Sequence, residues 1–171
     1  DVYKRQTNRH TVMASPYRIS TRTHPRRIAR VPTATIRAKL RDAARTSLEH
    51  QHADCGTSIC IVYSVDSYLR QLNRQFSGVD AVTDVLAFPS EEDDRHLGDV
   101  IISMQQAVQT AQRAGHGTLD ELQLLTVHGA LHLLGHKHNT EEERLSMWQA
   151  QTEILQTLGL SISTSIVDNS E

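Results

Sequence analysis

Cysteine is scarce in this chain of 171 residues, which contains only Cys55 and Cys60. Their spacing does not match the CxxC pattern of metal-binding or redox-active pairs. Isolated cysteines of this kind are reduced and structural in cytosolic proteins. The sequence therefore predicts that neither thiol takes part in the chemistry of the protein.

Long apolar runs are also missing. No segment approaches the roughly 18 to 20 consecutive apolar residues that are needed to span a bilayer. Residues 1–30 are basic and contain no apolar core segment, so they do not resemble a signal peptide. We therefore expect a soluble, cytoplasmic protein that has no membrane partner.

Acidic residues are rare in the first part of the chain, although the net charge is only −2. Residues 1–45 hold 12 Lys/Arg and 2 Asp/Glu, whereas residues 46–171 hold 6 Lys/Arg and 18 Asp/Glu. A basic arm can supply contacts to the phosphates of a nucleic acid, and it can equally be a solvated leader. The sequence leaves both interpretations open.

The length of the chain corresponds to one domain. The sequence predicts a basic, partly disordered segment at 1–31, with at most an edge strand around 17–20. Residues 1–12 precede the first methionine and are excluded from the predicted fold. The domain itself is expected at 32–159, followed by a tail at 160–171.

Strands and helices alternate inside this domain. β-branched apolar runs predict strands at 58–65, 84–88 and 98–102. Amphipathic stripes predict helices before, between and after them, and Trp148 of the last helix is expected to pack inside. The helix over 119–134 is apolar nearly all round and should lie at the centre. The expected architecture is α+β, a small mixed β-sheet packed with helices around this central helix.

Three histidines stand at the end of the central helix, in the segment H-G-A-L-H-L-L-G-H-K-H. His128 and His132 are four residues apart, so they lie on one face of the helix. Gly135 can adopt the left-handed conformation that ends a helix and turns His138 back as a third ligand. Three His ligands leave the fourth position of Zn²⁺ open, as in catalytic sites. The sequence therefore predicts one zinc ion per chain.

The same histidine spacing occurs in zinc proteases, where a glutamate directly after the first histidine acts as the general base. Gly129 occupies that position in this chain. A peptide hydrolase built on this motif would lack its base. Metal-dependent peptide hydrolysis is therefore kept as an alternative only.

Three separate blocks resemble the YbeY family of metal-dependent endoribonucleases. They are the histidine segment at 128–138, L-N-R-Q-F-S-G-V-D-A-V-T-D-V-L-A-F-P at 72–89, and L-G-D-V-I-I-S at 97–103. The blocks appear in the order of the family, and the resemblance spans about residues 32–158. It implies an α+β fold and a zinc ion held by His128, His132 and His138.

The resemblance also implies a function. Members of the family cleave single-stranded RNA in the maturation of small-subunit (16S) ribosomal RNA at its 3′ end, and they act in ribosome quality control. The implied partners are ribosomal RNA and the ribosome or its small subunit. A ribosome assembly factor that does not catalyse, and whose metal only holds the fold, is the other alternative.

Several positions depart from the family pattern. Ser77 stands where many members have an arginine that is thought to bind or cleave RNA, and Arg74 is the candidate substitute. Ala87 replaces the serine of T-D-V-L-S-F-P, and His136 and Lys137 replace the usual Tyr/Phe and Asp. Lys137 is a candidate phosphate contact. His136 is a candidate fourth ligand or general acid, or else a residue of the site wall.

Two acidic residues, Asp84 and Asp99, are candidate partners for the outer N–H groups of the ligand imidazoles. Ligand histidines usually donate this hydrogen to a carboxylate or a carbonyl. The alternative is that both are ordinary aspartates at strand ends. The sequence does not decide between the two.

Overall fold

The computed structural model describes residues 15–24 and 33–162. Within these ranges the chain forms an α+β fold, as the sequence predicts. Its elements in chain order are β1 (Arg18–His24), α1 (Thr33–His50), β2 (Ser58–Ser64), α2 (Asp66–Ser77), β3 (Val85–Pro89), β4 (His96–Ser103), α3 (Met104–Ala114), α4 (Thr118–Leu133) and α5 (Glu141–Thr157).

The strands form one mixed sheet in the order β1-β2-β4-β3. β1, β2 and β4 are parallel, while β3 at the edge is antiparallel to β4. β2 is apolar on both faces, which is the pattern of an inner strand in a parallel sheet. One face of the sheet, with Ile59, Ile61 and Val100, packs against α1 and α4 in the main core.

The histidine helix, α4, lies at the centre of the domain, and the prediction for it is confirmed. It packs against α1, α3, α5 and the strands β3 and β4. Ten of its 16 residues are buried, a larger share than in any other helix within 33–162. α5 covers the side of α4 that faces away from the sheet, through Leu124, Val127 and Leu131 of α4.

Local hydrogen bonds from side chains set the starts of α3 and α5. The Ser103 hydroxyl accepts a hydrogen bond from the Gln106 amide at the start of α3. Thr140 and Glu143 form a capping box at the start of α5. These short-range bonds depend on a few neighbouring residues, which is why they can be read from sequence.

The second face of the sheet is covered by α2, whose Leu69 and Leu72 pack on Ile101 of β4. Phe76, at the end of this helix, is 61% exposed, although its ring lies 5.0 Å from that of Phe88. Trp148 of α5 is 53% exposed. The prediction that Trp148 packs in the core is therefore wrong, because Trp148 lies with Leu145 on the face of α5 that is exposed to solvent.

The sheet includes part of the basic N-terminal segment. β1 pairs with β2 along its whole length, from Arg18 opposite Ser58 to His24 opposite Ser64. The folded unit thus takes in a strand from the segment 1–31, ahead of the boundary expected at residue 32. Residues 1–14 and 25–31 of that segment and residues 163–171 of the tail lie outside the described residues. Among the described helices, none combines the length and apolarity of a membrane span.

Candidate metal centre

The end of α4 and the turn after it bring three histidines together. His128 and His132 lie on the last two turns of the helix, and Gly135 follows with φ +98°. The amides of Gly135 and His136 bond back to the carbonyls of His132 and Leu131. A side chain at 135 would meet open space, so glycine is needed there for its backbone conformation.

The three imidazoles converge as a set of ligands. Their facing nitrogens all lie within 4.8 Å of one another, and each ring is half-buried. The rings of His132 and His138 meet edge to face at 4.9 Å, and those of His128 and His132 at 4.6 Å. The predicted ligands, His128, His132 and His138, are therefore positioned to hold one metal ion.

Hydrogen bonds on the outer side of two rings define which nitrogens face the centre. His128 Nδ1 lies 3.2 Å from Gln151 Oε1, and His132 Nδ1 lies 3.1 Å from the His136 carbonyl oxygen. Both oxygens accept, so each Nδ1 carries the hydrogen and each Nε2 offers a lone pair. These outer bonds are the orienting contacts that ligand histidines usually make.

The two Nε2 atoms, of His128 and His132, lie 3.0 Å apart. Two bare lone pairs at this distance repel each other, whereas a cation between them is attracted by both. Two nitrogens on one tetrahedral zinc, at about 2.0–2.1 Å from the ion, would be about 3.3 Å apart. The donor set and its spacing therefore fit a divalent metal.

Burial and neighbouring imidazoles keep His132 neutral. Burial first, and then the charges of the nearby His128 and His138, lower the pKa of His132 to about 4. Only a neutral imidazole has a lone pair for a metal. The site thus favours the protonation state that a ligand needs at neutral pH.

Gly129 packs against the sheet, and no side chain at that position could reach the metal centre. A Cβ at Gly129 would lie 2.5 Å from Val100 Cγ1. Such a contact is shorter than packed carbon atoms tolerate. The position that carries the general base in zinc proteases is thus closed by β4 in this fold.

Comparison with known proteins agrees with this geometry. The family model of the endoribonuclease YbeY matches residues 21–159 of the chain. The chain belongs to this family. A curated YbeY endoribonuclease from Carboxydothermus hydrogenoformans is 46% identical over 97 residues, which cover 56% of this chain and 68% of the relative. One from Caldanaerobacter subterraneus is 32% identical over 149 residues, which cover 78% of this chain and 94% of the relative.

A solved structure shares the fold. The solution structure of TM1509 from Thermotoga maritima matches with a TM-score of 0.53 and 22% identity. The match covers 84% of this chain and 91% of that chain. At this level of identity the likeness concerns the architecture of the YbeY domain alone.

The Nδ1 hydrogen bonds of His128 and His132 go to Gln151 and to the His136 carbonyl rather than to the predicted acidic partners, Asp84 and Asp99. Asp99 neighbours Val100 on β4 and faces the opposite side of the sheet from α4, where its carboxylate lies 3.3 Å from His96 Nε2. Asp84 precedes β3, and burial raises the pKa of its carboxyl group. Its charge acts on Glu121, two helical turns before His128.

The residues at which this chain departs from the YbeY pattern occupy different surroundings. Arg74 and Ser77 are exposed on α2, the helix on the other face of the sheet from α4. Ala87 is half-buried on β3, opposite Val100. Lys137 is exposed directly beside the ligand His138. Of the predicted substrate contacts, Lys137 is the one that shares a turn with the metal centre.

Sequence analysis missed Gln151. This residue is buried, at 1% exposure, between Met147 and Ile154 on the core side of α5. The signal was present, because a glutamine interrupts an otherwise apolar stripe at helical spacing. A polar side chain at such a position needs a hydrogen-bond partner, and His128 supplies it.

Proposed function

We propose that this chain is a zinc-dependent endoribonuclease specific for single-stranded RNA. It would act in the cytoplasm on the 3′ end of small-subunit (16S) ribosomal RNA and in ribosome quality control, with the ribosome or its small subunit as partner. The convergence of His128, His132 and His138 in a chain of the YbeY family carries this proposal. The activity named for the curated relatives supports the reaction class.

Each residue of the site would have a distinct role in phosphodiester cleavage. His128, His132 and His138 would hold the ion, which would supply a Lewis acid for a phosphoryl oxygen. Gln151 and the His136 carbonyl hold the rings of His128 and His132 in the tautomer that faces the ion. The ammonium group of Lys137, in the same turn as His138, would contact a backbone phosphate.

Nucleophile and phosphorus are already held together in RNA, because the 2′-hydroxyl belongs to the same nucleotide. The reaction therefore asks less of the protein than peptide hydrolysis, which needs a proton donor for a poor leaving group. The site has no glutamate at 129 to serve as base. RNA cleavage by internal attack suits this set of residues better than proteolysis does.

One assay separates the proposed function from its two alternatives. A single-stranded RNA and casein are each incubated with the zinc-loaded protein, with and without a chelator. We expect cleavage of the RNA only, abolished by the chelator and by His132→Ala, which should also lose stoichiometric zinc in metal analysis. Cleavage of casein alone would establish a peptide hydrolase, and no cleavage at all would leave an assembly factor with a structural metal.

A second substrate tests the nucleophile. Replacing the RNA by its all-2′-deoxy analogue removes the internal hydroxyl while leaving the phosphates in place. If that hydroxyl attacks, the analogue is cut far more slowly than the RNA. Equal rates on both strands would mean that water is the nucleophile.

A further inference from the structure

The turn that presents the third ligand is tied to α1 by one side chain. His136, in this turn, accepts the hydrogen of His132 Nδ1 at its carbonyl oxygen, at 3.1 Å. Its own ring Nε2 lies 2.7 Å from Oε1 of Gln51, which directly follows α1. Residue 136 thus links a metal ligand on one side to a distant glutamine on the other.

The hydrogen bond to Gln51 continues as a chain across the surface between α1 and α5. Gln51 Nε2 lies 2.9 Å from His50 Nδ1, and His50 Nε2 lies 2.7 Å from Glu153 Oε2. The carboxylate of Glu153 also accepts from Gln149 Nε2 at 3.0 Å. Three elements that are far apart in sequence therefore meet at the turn behind the metal centre.

The hydrogen bonds of this series, from His136 through Gln51 and His50 to Glu153, all have the same direction. A carboxylate only accepts, so His50 Nε2 carries its hydrogen and His50 Nδ1 accepts from the Gln51 amide. The remaining oxygen of Gln51 accepts from His136 Nε2. Every group in the chain has a partner of the right kind, so the arrangement has a single consistent set of hydrogen positions.

The other hydrogen bonds found in this turn join neighbouring residues. Lys137 and Asn139 are exposed, and α5 begins only at Glu141. The backbone bonds of Gly135 and His136 define where α4 ends, and the Asn139 amide donates to Glu143 Oε2. The bond from His136 to Gln51 ties this turn to the end of α1. Fixing a turn in advance reduces the ordering entropy that ligand binding would otherwise require.

We propose that Gln51 is a positioning residue for the metal centre, and that it acts through His136. The series of hydrogen bonds from Glu153 through His50 and Gln51 ends at His136. It thereby holds the turn that carries His138 and the carbonyl that orients His132. The inference rests on the metal centre of the proposed function but is independent of the substrate.

The test is the metal affinity of Gln51→Met, a substitution that keeps the length of the side chain and removes both polar ends. Removing a partner of a ligand histidine typically weakens metal binding 10- to 100-fold. Gln51 acts one bond further out, so we expect about a 10-fold weaker zinc affinity, measured by competition with a chelating dye. The visible absorption spectrum of the Co²⁺ form should also change, because that spectrum follows ligand geometry.

A double-mutant cycle identifies the route. His136→Phe removes the imidazole and keeps the carbonyl, so Gln51→Met should have little further effect in that background. Gln149→Met removes a bond at the far end of this series and should leave zinc affinity within about 2-fold, since Gln149 lies five hydrogen bonds from His132. After treatment with a chelator, the melting temperature of Gln51→Met should be close to that of the parent protein treated in the same way.

The inference is overturned if Gln51→Met binds zinc as tightly as the parent with an unchanged Co²⁺ spectrum. It is also overturned if the loss is equally large in the His136→Phe background. If Gln51→Met does not fold, His50→Ala tests the same series of hydrogen bonds. We expect the zinc affinity of His50→Ala to be about 3-fold weaker, and an unchanged affinity would contradict the inference. Weaker binding in a protein that cuts no RNA would refute the proposed function and leave this inference standing.

Discussion

At the scale of single residues, the amide of Gln151 makes the buried contact between α5 and the metal centre. Its oxygen accepts the hydrogen of His128 Nδ1 at 3.2 Å and so presents Nε2 to the ion. Gln151→Leu preserves the approximate volume but removes this acceptor. We expect zinc affinity to fall by about 10- to 100-fold, as measured by chelator competition.

Gln149→Leu, also on α5 but exposed, is the matched control for Gln151→Leu. It makes its bond with Glu153 on the surface and should leave the affinity nearly unchanged. An equal loss of affinity in both variants would indicate a general effect on α5. In that case Gln151 would not be the contact that orients His128.

A second residue-scale prediction concerns Glu121, a buried carboxylate on α4. Its Oε2 lies 2.5 Å from His116 Nε2, and its side chain is 3% exposed. Burial raises the pKa of Glu121; the hydrogen bond and charge of His116 oppose this, and the charge of Asp84 adds to it. A carboxyl group with a raised pKa binds more protons in the folded than in the unfolded protein, so its contribution to stability falls as pH rises.

Glu121→Gln keeps an oxygen that can accept from His116 and removes the ionisable group. We expect the melting temperature of the variant, relative to the parent, to increase as pH rises from about 4.5 through the raised pKa of Glu121. Glu142→Gln on the exposed face of α5 is the control. A difference in melting temperature that stayed constant with pH, or shrank as pH rose, would contradict the assignment.

At the scale of elements, the close approach of α4 to β4 depends on Gly129. Gly129→Ala would gain about 1 kcal/mol of helix propensity, but its Cβ would lie 2.5 Å from Val100 Cγ1. Overpacking of this kind typically costs about 1–3 kcal/mol, so we expect a net loss of unfolding free energy. Chemical denaturation of the metal-free protein measures it.

A second substitution, Val100→Ala, tests why Gly129→Ala is expected to lower the free energy of unfolding. In a Val100→Ala background the Cγ atoms that the new methyl group meets are gone. The Cβ of residue 100 then remains at 3.3 Å, a contact that a small shift relieves, so Gly129→Ala should cost much less unfolding free energy in this background. The same loss in both backgrounds would mean that Val100 is not the obstacle.

At the scale of the whole molecule, the basic N-terminal segment contributes the strand β1 to the sheet. β1 pairs with β2, so deleting 1–31 would expose the edge of β2. A loss of RNA binding in that deletion would be indistinguishable from a loss of folding. Neutralising Lys4, Arg5 and Arg9 changes the charge and leaves β1 intact. If these side chains contact RNA phosphates, the slope of log affinity against log salt should become shallower by about 0.7 per lost contact.

The control for these substitutions is the metal centre, whose zinc content should be unaffected. An unchanged slope of log affinity against log salt would mean that the segment ahead of β1 does not contribute to RNA binding. A shallower slope, with cleavage chemistry preserved, would show that the segment contributes affinity. The two interpretations that the sequence left open are thereby separated.

Sequence by itself determined the ligand set and the helix that carries it. His128 and His132 share a face because helical geometry fixes residues four apart, and Gly135 permits a conformation that few other residues adopt. Helix caps such as Ser103 and Thr140 depend on neighbours within three residues. Features of this kind are local, so neighbouring residues suffice to predict them.

Tertiary structure alone decided what surrounds the histidines. Alternation along β4 placed Asp99 and Val100 on opposite faces, but only the packing of α4 determined which face holds the metal centre. Gln51, just after α1, bonds to His136, 85 residues away, and Gln151 of α5 bonds to His128, 23 residues away. Contacts over such distances depend on how the elements pack against one another, and a pattern of residues in one segment carries no record of that packing.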